Sequence, residues 1–199
     1  MTLVEQIIID CWVIFGVVWT IGAVTAKRAQ RRQTVGKRLW YAVFLMISFV
    51  LLFKGFPTAT PGTGLKEPIY PLYIPVLPYS ATFAAVAAAL TILGLLLALW
   101  ARWILGRNWS GTVDIKKDHE LVTNGPYAVI RHPIYTAFLL MFLGTAIAVG
   151  NLGGFLGFVT LFISHWIKLK QEEQLMTQQF PTAYPAYMKR TKALIPFVL

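Results

Sequence analysis

Hydrophobic and polar positions divide the 199-residue chain into five long apolar runs separated by charged or turn-rich stretches. A membrane-spanning helix requires about 20 predominantly apolar residues. Five segments reach or approach that length: Ile7–Ala26, Leu39–Phe56, Tyr79–Ala101, Pro133–Gly150 and Leu152–Ile167. The pattern predicts an all-α, polytopic membrane helix bundle with about five transmembrane helices. Only Gly150 and Asn151 separate the last two runs, with Gly153 and Gly154 following, so these form a tight helical hairpin of antiparallel neighbours. After Ile167 the run KLKQEEQLMTQQF continues the last helix out of the membrane until Pro181 and Pro185 break it. AYPAYMKRTKALIPF then reads as a short basic, aromatic segment on the membrane surface.

Composition strengthens this reading. Hydrophobic residues make up 57% of the chain and charged residues 13%, about half the roughly 25% of soluble domains. The net charge is +10, but its distribution argues against a nucleic-acid partner. Of the 18 basic residues, 16 fall between the first and second runs, between the third and fourth, or after the fifth. With five spans these three regions share one side, which by the positive-inside rule is the cytoplasm. The N-terminus is then outside and the C-terminus cytoplasmic. Lys54 and Lys66 are the exceptions; Lys54 is near enough to a helix end to snorkel. KRAQRRQTVGKR, six cations in 12 residues, reads as a topology anchor on anionic lipid. The Pro57–Pro78 connection, rich in proline and aromatic residues, reads as an irregular interfacial lid on the outer side. MTLVEQIIID lacks a basic stretch before its apolar run, so a retained helix is expected rather than a cleaved signal. The single cysteine, Cys11, permits no intrachain disulfide. No span has a charged residue near its centre, which argues against an ion pathway.

Most of the side chains suited to chemistry lie in one stretch, HELVTNGPYAVIRHPIY, from His119 to Tyr135. Pro133 suits the first turn of the fourth helix, where its missing N–H costs nothing. Arg131 and His132 therefore sit at the positive end of a helix dipole, which favours an anion; alternatively Arg131 only anchors the helix at the headgroups. His119 and His132 are 13 residues apart with no ligand three or four residues away, so no metal site is expected. On the last helix Lys168 precedes Glu172 by four residues and follows His165 by three, which puts the three on one face. They form either a surface ion pair or a polar site at the membrane boundary.

These residues resemble the isoprenylcysteine carboxyl methyltransferase family, in its prokaryotic-type form: integral membrane enzymes that use S-adenosylmethionine. The matching pieces are His119-Glu120-Leu121-Val122, Gly125-Pro126-Tyr127, Arg131-His132-Pro133-Ile134-Tyr135, Glu172-Glu173-Gln174-Leu175 and Phe180, Tyr184, Tyr187 and Pro196. They occur in family order and spacing over about Gly106–Pro196. The resemblance implies a single membrane domain, 1–199, in which 1–105 is a three-helix scaffold and 106–199 the cofactor-binding core. It implies that His119, Leu121, Val122, Tyr127, His132, Pro133, Tyr135 and Glu172 bind S-adenosyl-L-methionine. Lys168 and Arg131 would meet the substrate, with Lys168 and His132 as catalytic residues. The family commonly has arginine where this chain has Lys168; lysine keeps the charge but not the two-pronged fork.

The implied reaction is methylation of the carboxylate of a lipophilic, isoprenylcysteine-like acceptor drawn from the bilayer. The site would face the cytoplasm at a bacterial inner membrane, with membrane lipid and no nucleic acid as partner. An ionised carboxylate needs no general base, so alignment and exclusion of water can supply the catalysis. Alternatives are phospholipid N-methylation or thiol S-methylation, with His132 or His165 as base, and a non-catalytic lipid-binding bundle.

Overall fold

A computed structural model describes residues 2–25, 29–31, 35–53, 72, 74–106, 109, 115–116 and 120–198. Each of the five apolar runs forms a helix: α1 (Leu3–Thr25), α2 (Val35–Phe53), α3 (Ala81–Leu105), α4 (Pro133–Val149) and α5 (Leu152–Gln179). α6 (Ala183–Arg190) follows, and two short antiparallel strands, β1 (Ala29–Arg31) and β2 (Ile115–Lys116), pair between the loops. α1, α3 and α5 are long and apolar enough to cross a membrane; α4 and the Leu39–Phe53 part of α2 are shorter apolar helices. The molecule is a membrane helix bundle. Residues 27–28 and 32–34 of the basic loop, and most of the 57–78 connection, lie outside the described residues.

Local chemistry sets several helix ends. α1 begins four residues before the apolar run because Thr2 and Glu5 form a capping box. The Glu5 N–H donates to Thr2 Oγ1 at 3.2 Å, and the Thr2 N–H donates to Glu5 Oε2 at 2.8 Å. Ser80 caps α3 by accepting from the Phe83 N–H. At the α4–α5 turn Gly150 adopts φ +67°, and Asn151 Oδ1 accepts from the Gly154 N–H at 2.9 Å. That turn is the tight hairpin expected from the sequence. Residues 74–77 are stitched along it: the Val76 and Leu77 N–H groups donate to the Gly150 carbonyl, and the Leu152 N–H donates to that of Ile74. α5 has 28 residues, about 42 Å at 1.5 Å per residue, longer than a ~30 Å hydrocarbon core. Its residues beyond Ile167 continue past the apolar part.

The helices form an arc in the order α1, α3, α4, α5, α2. The α3–α4 contact is the most extensive and is built on small residues. A Cβ on Gly94 would lie 2.7 Å from the Ala137 carbonyl oxygen, and one on Gly144 would lie 2.6 Å from that of Ala87. α5 meets α2 in the same way: a Cβ on Gly157 would lie 2.8 Å from the Ser48 carbonyl oxygen. α1 and α2, at the ends of the arc, meet through Trp12, whose ring is edge-on to Phe49 and Phe53 at 5.4 and 6.1 Å. Trp12 Nε1 also donates to Thr145 Oγ1 on α4 at 3.0 Å.

The segment after α5, expected on the membrane surface, folds back onto the 127–136 stretch. Tyr184, Tyr187, Ala193 and Leu194 are buried. The Arg131 and His132 N–H groups donate to the Lys192 and Ala193 carbonyls at 2.8 and 3.0 Å, and Thr136 Oγ1 donates to that of Leu194. Tyr187 Oη donates to the Tyr127 carbonyl at 2.5 Å.

Candidate active site

The start of α4 and the end of the apolar part of α5 hold a buried polar cluster. His132 is the N-cap of α4, with Pro133 in its first turn. Its Nδ1 lies 3.6 Å from Glu172 Oε2 and its Nε2 3.5 Å from Glu173 Oε1. The second approach is close enough for charge attraction but is not a hydrogen bond, and Nε2 is buried without one. Arg131 donates through Nε to Glu173 Oε1 at 2.8 Å, and its Nη2 forms an ion pair with the same oxygen at 2.8 Å. Its Nη1 donates to the carbonyls of Met188 and Thr191. Glu172 Oε1 accepts from Tyr135 Oη at 2.5 Å, and its side chain is 23% exposed, against 6% for Glu173.

These contacts fix the charges. Burial alone would raise the Glu172 carboxyl, but the adjacent His132 imidazole, the Lys168 charge and the Tyr135 hydroxyl hold it below the usual range. Glu173 is likewise opposed by burial, yet His132 and Arg131 bring it down to about 2. Burial disfavours the His132 imidazolium, and the two carboxylates outweigh that and raise its pKa. Two carboxylates, one arginine and one imidazole whose charged form the carboxylates favour thus meet at the membrane boundary.

Tyr135 is a partition. Its hydroxyl faces Glu172, its ring stacks on His132 at 5.5 Å, and its other side meets His165 edge-on at 4.8 Å. Beyond it lies a cleft of about 490 Å³ bounded by α1, α2, α4 and α5. Its walls are largely aromatic, with Trp12, Phe15 and Trp19 from α1, Phe49 and Phe53 from α2, and Phe138 from α4. The polar side chains that line it are Tyr41, Tyr135, His165 and Lys168, in mutual contact. Lys168 is 8% exposed. Its Nζ lies 4.2 Å from the Tyr41 ring centroid and 5.4 Å from that of Tyr135, an arrangement that stabilises a partly desolvated ammonium.

Arg131, His132, Tyr135, Lys168 and Glu172 are therefore brought together. Pro133 is buried beneath them at the start of α4, and Leu121 and Val122 are half-buried in the preceding loop. Tyr127 is buried in the 3₁₀ turn Gly125–Ala128, with Oη 3.5 Å from the Ala101 carbonyl at the end of α3. His119 lies outside the described residues. Sequence reasoning named Glu173 in a motif but gave it no role, and passed over Tyr41 and the aromatic walls. Their signal was in the spacing: Trp12, Phe15 and Trp19 share one face of α1, and Tyr41, Leu45, Phe49 and Phe53 repeat every four residues along α2.

Comparison with known proteins bears on this geometry. The family profile for phospholipid methyltransferases matches residues 82–183, taking in α3 as well as the 106–183 part of the expected core. The chain is 30% identical over 166 residues to the protein-S-isoprenylcysteine O-methyltransferase of Schizosaccharomyces pombe, across 82% of this chain and 69% of that protein. It is 31% identical over 110 residues to protein-S-isoprenylcysteine O-methyltransferase B of Arabidopsis thaliana, across 54% and 56% of the two chains. With a probable protein-S-isoprenylcysteine O-methyltransferase of Oryza sativa subsp. indica it shares 26% identity over 166 residues, 82% of this chain and 84% of the other.

Proposed function

Because the chain belongs to the phospholipid methyltransferase family, among the isoprenylcysteine carboxyl methyltransferases, we propose that it methylates the carboxylate of a lipophilic, isoprenylcysteine-like acceptor with S-adenosylmethionine as donor. That it is a methyltransferase and an integral membrane protein follows from the family and the apolar helices. The observation that carries the finer reading is the aromatic cleft that ends on Lys168, beside Tyr135 and Glu172.

The residues fit the donor. S-adenosylmethionine presents an ammonium group, and Glu172 is an ionised carboxylate with 23% of its side chain open. When bound, S-adenosylmethionine supplies a methyl on a sulfonium, whose carbon bonds to the acceptor oxygen as its bond to sulfur breaks, giving a neutral ester and a neutral thioether. No proton moves. Glu172 holds the donor's cationic end, and His132 and Tyr135 fix that carboxylate in place. Tyr127, Leu121, Val122 and Pro133 wall the donor side, and the family resemblance gives His119 the same role. Lys168 binds the acceptor carboxylate, and the aromatic cleft takes its tail. Arg131, engaged by Glu173 and two backbone carbonyls, positions Glu173 and the C-terminal segment. The chemistry then rests on alignment in a water-poor site. In this reading the site faces the cytoplasm at a bacterial inner membrane, and the excess of basic residues in the loops on that side supports the orientation.

Methylation of an amine lipid fits less well. It would build positive charge on the acceptor beside the Lys168 ammonium, whereas attack by a carboxylate removes charge there.

Calorimetry on detergent-purified protein tests the reading. Wild type binds S-adenosylmethionine or its demethylated product in the micromolar range, and Glu172→Ala and His132→Ala each weaken binding at least about tenfold, the loss of a charge-assisted contact. Folded wild-type protein that binds neither compound would refute the donor assignment.

A further inference from the structure

Trp12 stands at the opposite end of the cleft from Lys168. Along α2, the rise from Tyr41, which meets Lys168, to Phe49 and Phe53, which meet Trp12, is about 12 and 18 Å at 1.5 Å per residue. Five phenylalanine rings surround the indole edge-on: Phe15, Phe49, Phe53, Phe138 and Phe142, with centroids 5.4–6.1 Å away. The first four line the cleft with Trp12. Phe142 and Thr145 do not; both are fully buried and lie behind the indole. Trp12 is therefore the partition that ends the cleft. Its Nε1 donates to Thr145 Oγ1 at 3.0 Å, and the Thr145 hydroxyl donates its own proton to the Met141 carbonyl at 2.8 Å. The Thr145 oxygen is thus presented to the indole as an acceptor. Swinging the ring aside would strand its N–H in apolar surroundings, which is costly. A ring that only filled space would not need this tether.

We propose that Trp12 is the length stop of the cleft, that it limits the acceptor to a farnesyl-sized tail, and that Thr145 is the positioning residue that holds it there. The proposal rests on the carboxylate reading above and adds which tails that reading admits. A farnesyl tail extends about 15 Å and a geranylgeranyl tail about 20 Å, at roughly 1.25 Å of advance per carbon–carbon bond of about 1.5 Å. With the carboxylate at Lys168, the farnesyl tail ends against the indole. The last unit of the longer tail would need the space the indole holds. A geranyl tail, at about 10 Å on the same basis, stops short of it.

The test uses one head group on three tails: N-acetyl-S-geranylcysteine, N-acetyl-S-farnesylcysteine and N-acetyl-S-geranylgeranylcysteine. Wild type favours farnesyl over geranylgeranyl in kcat/KM at least about tenfold, the discrimination an apolar pocket gives for a steric misfit. Trp12→Ala abolishes that preference by lowering KM for the longest tail. Its geranyl kinetics and its S-adenosylmethionine affinity by calorimetry stay near wild type. Trp12→Phe, a smaller ring without the tether, and Thr145→Val, which keeps the ring but frees it, fall in between. Equal losses with all three tails would mean Trp12 is a structural brace, and the proposal would fall. So would a wild type that takes the two longer tails equally. If Trp12→Ala does not fold, the other two variants decide, and an unchanged ratio in both overturns the proposal. Calorimetric binding of the three compounds, read whether or not they turn over, separates this from the carboxylate reading. A length step in binding without methylation sinks that reading and leaves the length stop standing; methylation without a length step does the reverse.

Discussion

At the scale of single residues, the site depends on charges held at the edge of the membrane by mutual contact. Burial opposes each of Glu172, Glu173 and His132 in its charged form, and their proximity reverses the effect. A pH dependence follows. The stability His132 supplies is full below its ordinary pKa of 6.5 and is lost as pH rises through its higher folded-state value. Glu173 works in the opposite sense: its contribution is present above 4.5 and is lost as pH falls through about 2. The melting-temperature gap between wild type and His132→Gln therefore narrows as pH is raised above 6.5; a constant gap would show that His132 acts by packing. The sequence put Lys168 and Glu172 on one helix face, but not the burial of Lys168. Nor could it show that Glu173, about 100° around the helix from Glu172, is the partner of Arg131.

At the scale of elements, helix ends and helix contacts follow from short-range signals. Thr2 with Glu5, Ser80, and Gly150-Asn151 are capping chemistry that a sequence displays openly. The small residues of α3 and α4 are visible too, but only the packed pair shows which glycines have no room. Gly144→Ala puts a Cβ 2.4 Å from Thr91 Oγ1 and 2.6 Å from the Ala87 carbonyl oxygen, so α3 and α4 must move apart. A loss of about 1–3 kcal/mol is expected. Gly16→Ala on α1 meets nothing within 4 Å and should change stability little. Thermal unfolding of the two variants in the same detergent separates them, and equal melting points would contradict the packing argument. α5 links the two levels, because one continuous helix joins the apolar bundle to the charged cluster at its end.

At the scale of the whole molecule, the arc of helices makes the cleft and aims it at the polar cluster. α1 and α2 stand outside the 82–183 family match, yet they supply most of the aromatic wall. Leu45→Trp, which fills the middle of the cleft from α2, should therefore raise the KM for a lipophilic acceptor at least about tenfold, the 1–3 kcal/mol cost of a steric change in an apolar pocket. Its S-adenosylmethionine affinity should stay at the wild-type value by calorimetry. A parallel loss of both would mean the cleft serves the donor instead. By itself the sequence determined the membrane class, the five apolar helices, the α4–α5 hairpin and the family, because hydrophobic run length, turn residues and motif spacing are properties of neighbours along the chain. Tertiary structure alone decided that α1 and α2 wall the aromatic cleft, that Glu173 rather than Glu172 holds Arg131, and that the C-terminal segment packs onto the start of α4. Those are contacts between residues about 40 to 130 apart, set by how side chains fill space between helices that share no local pattern.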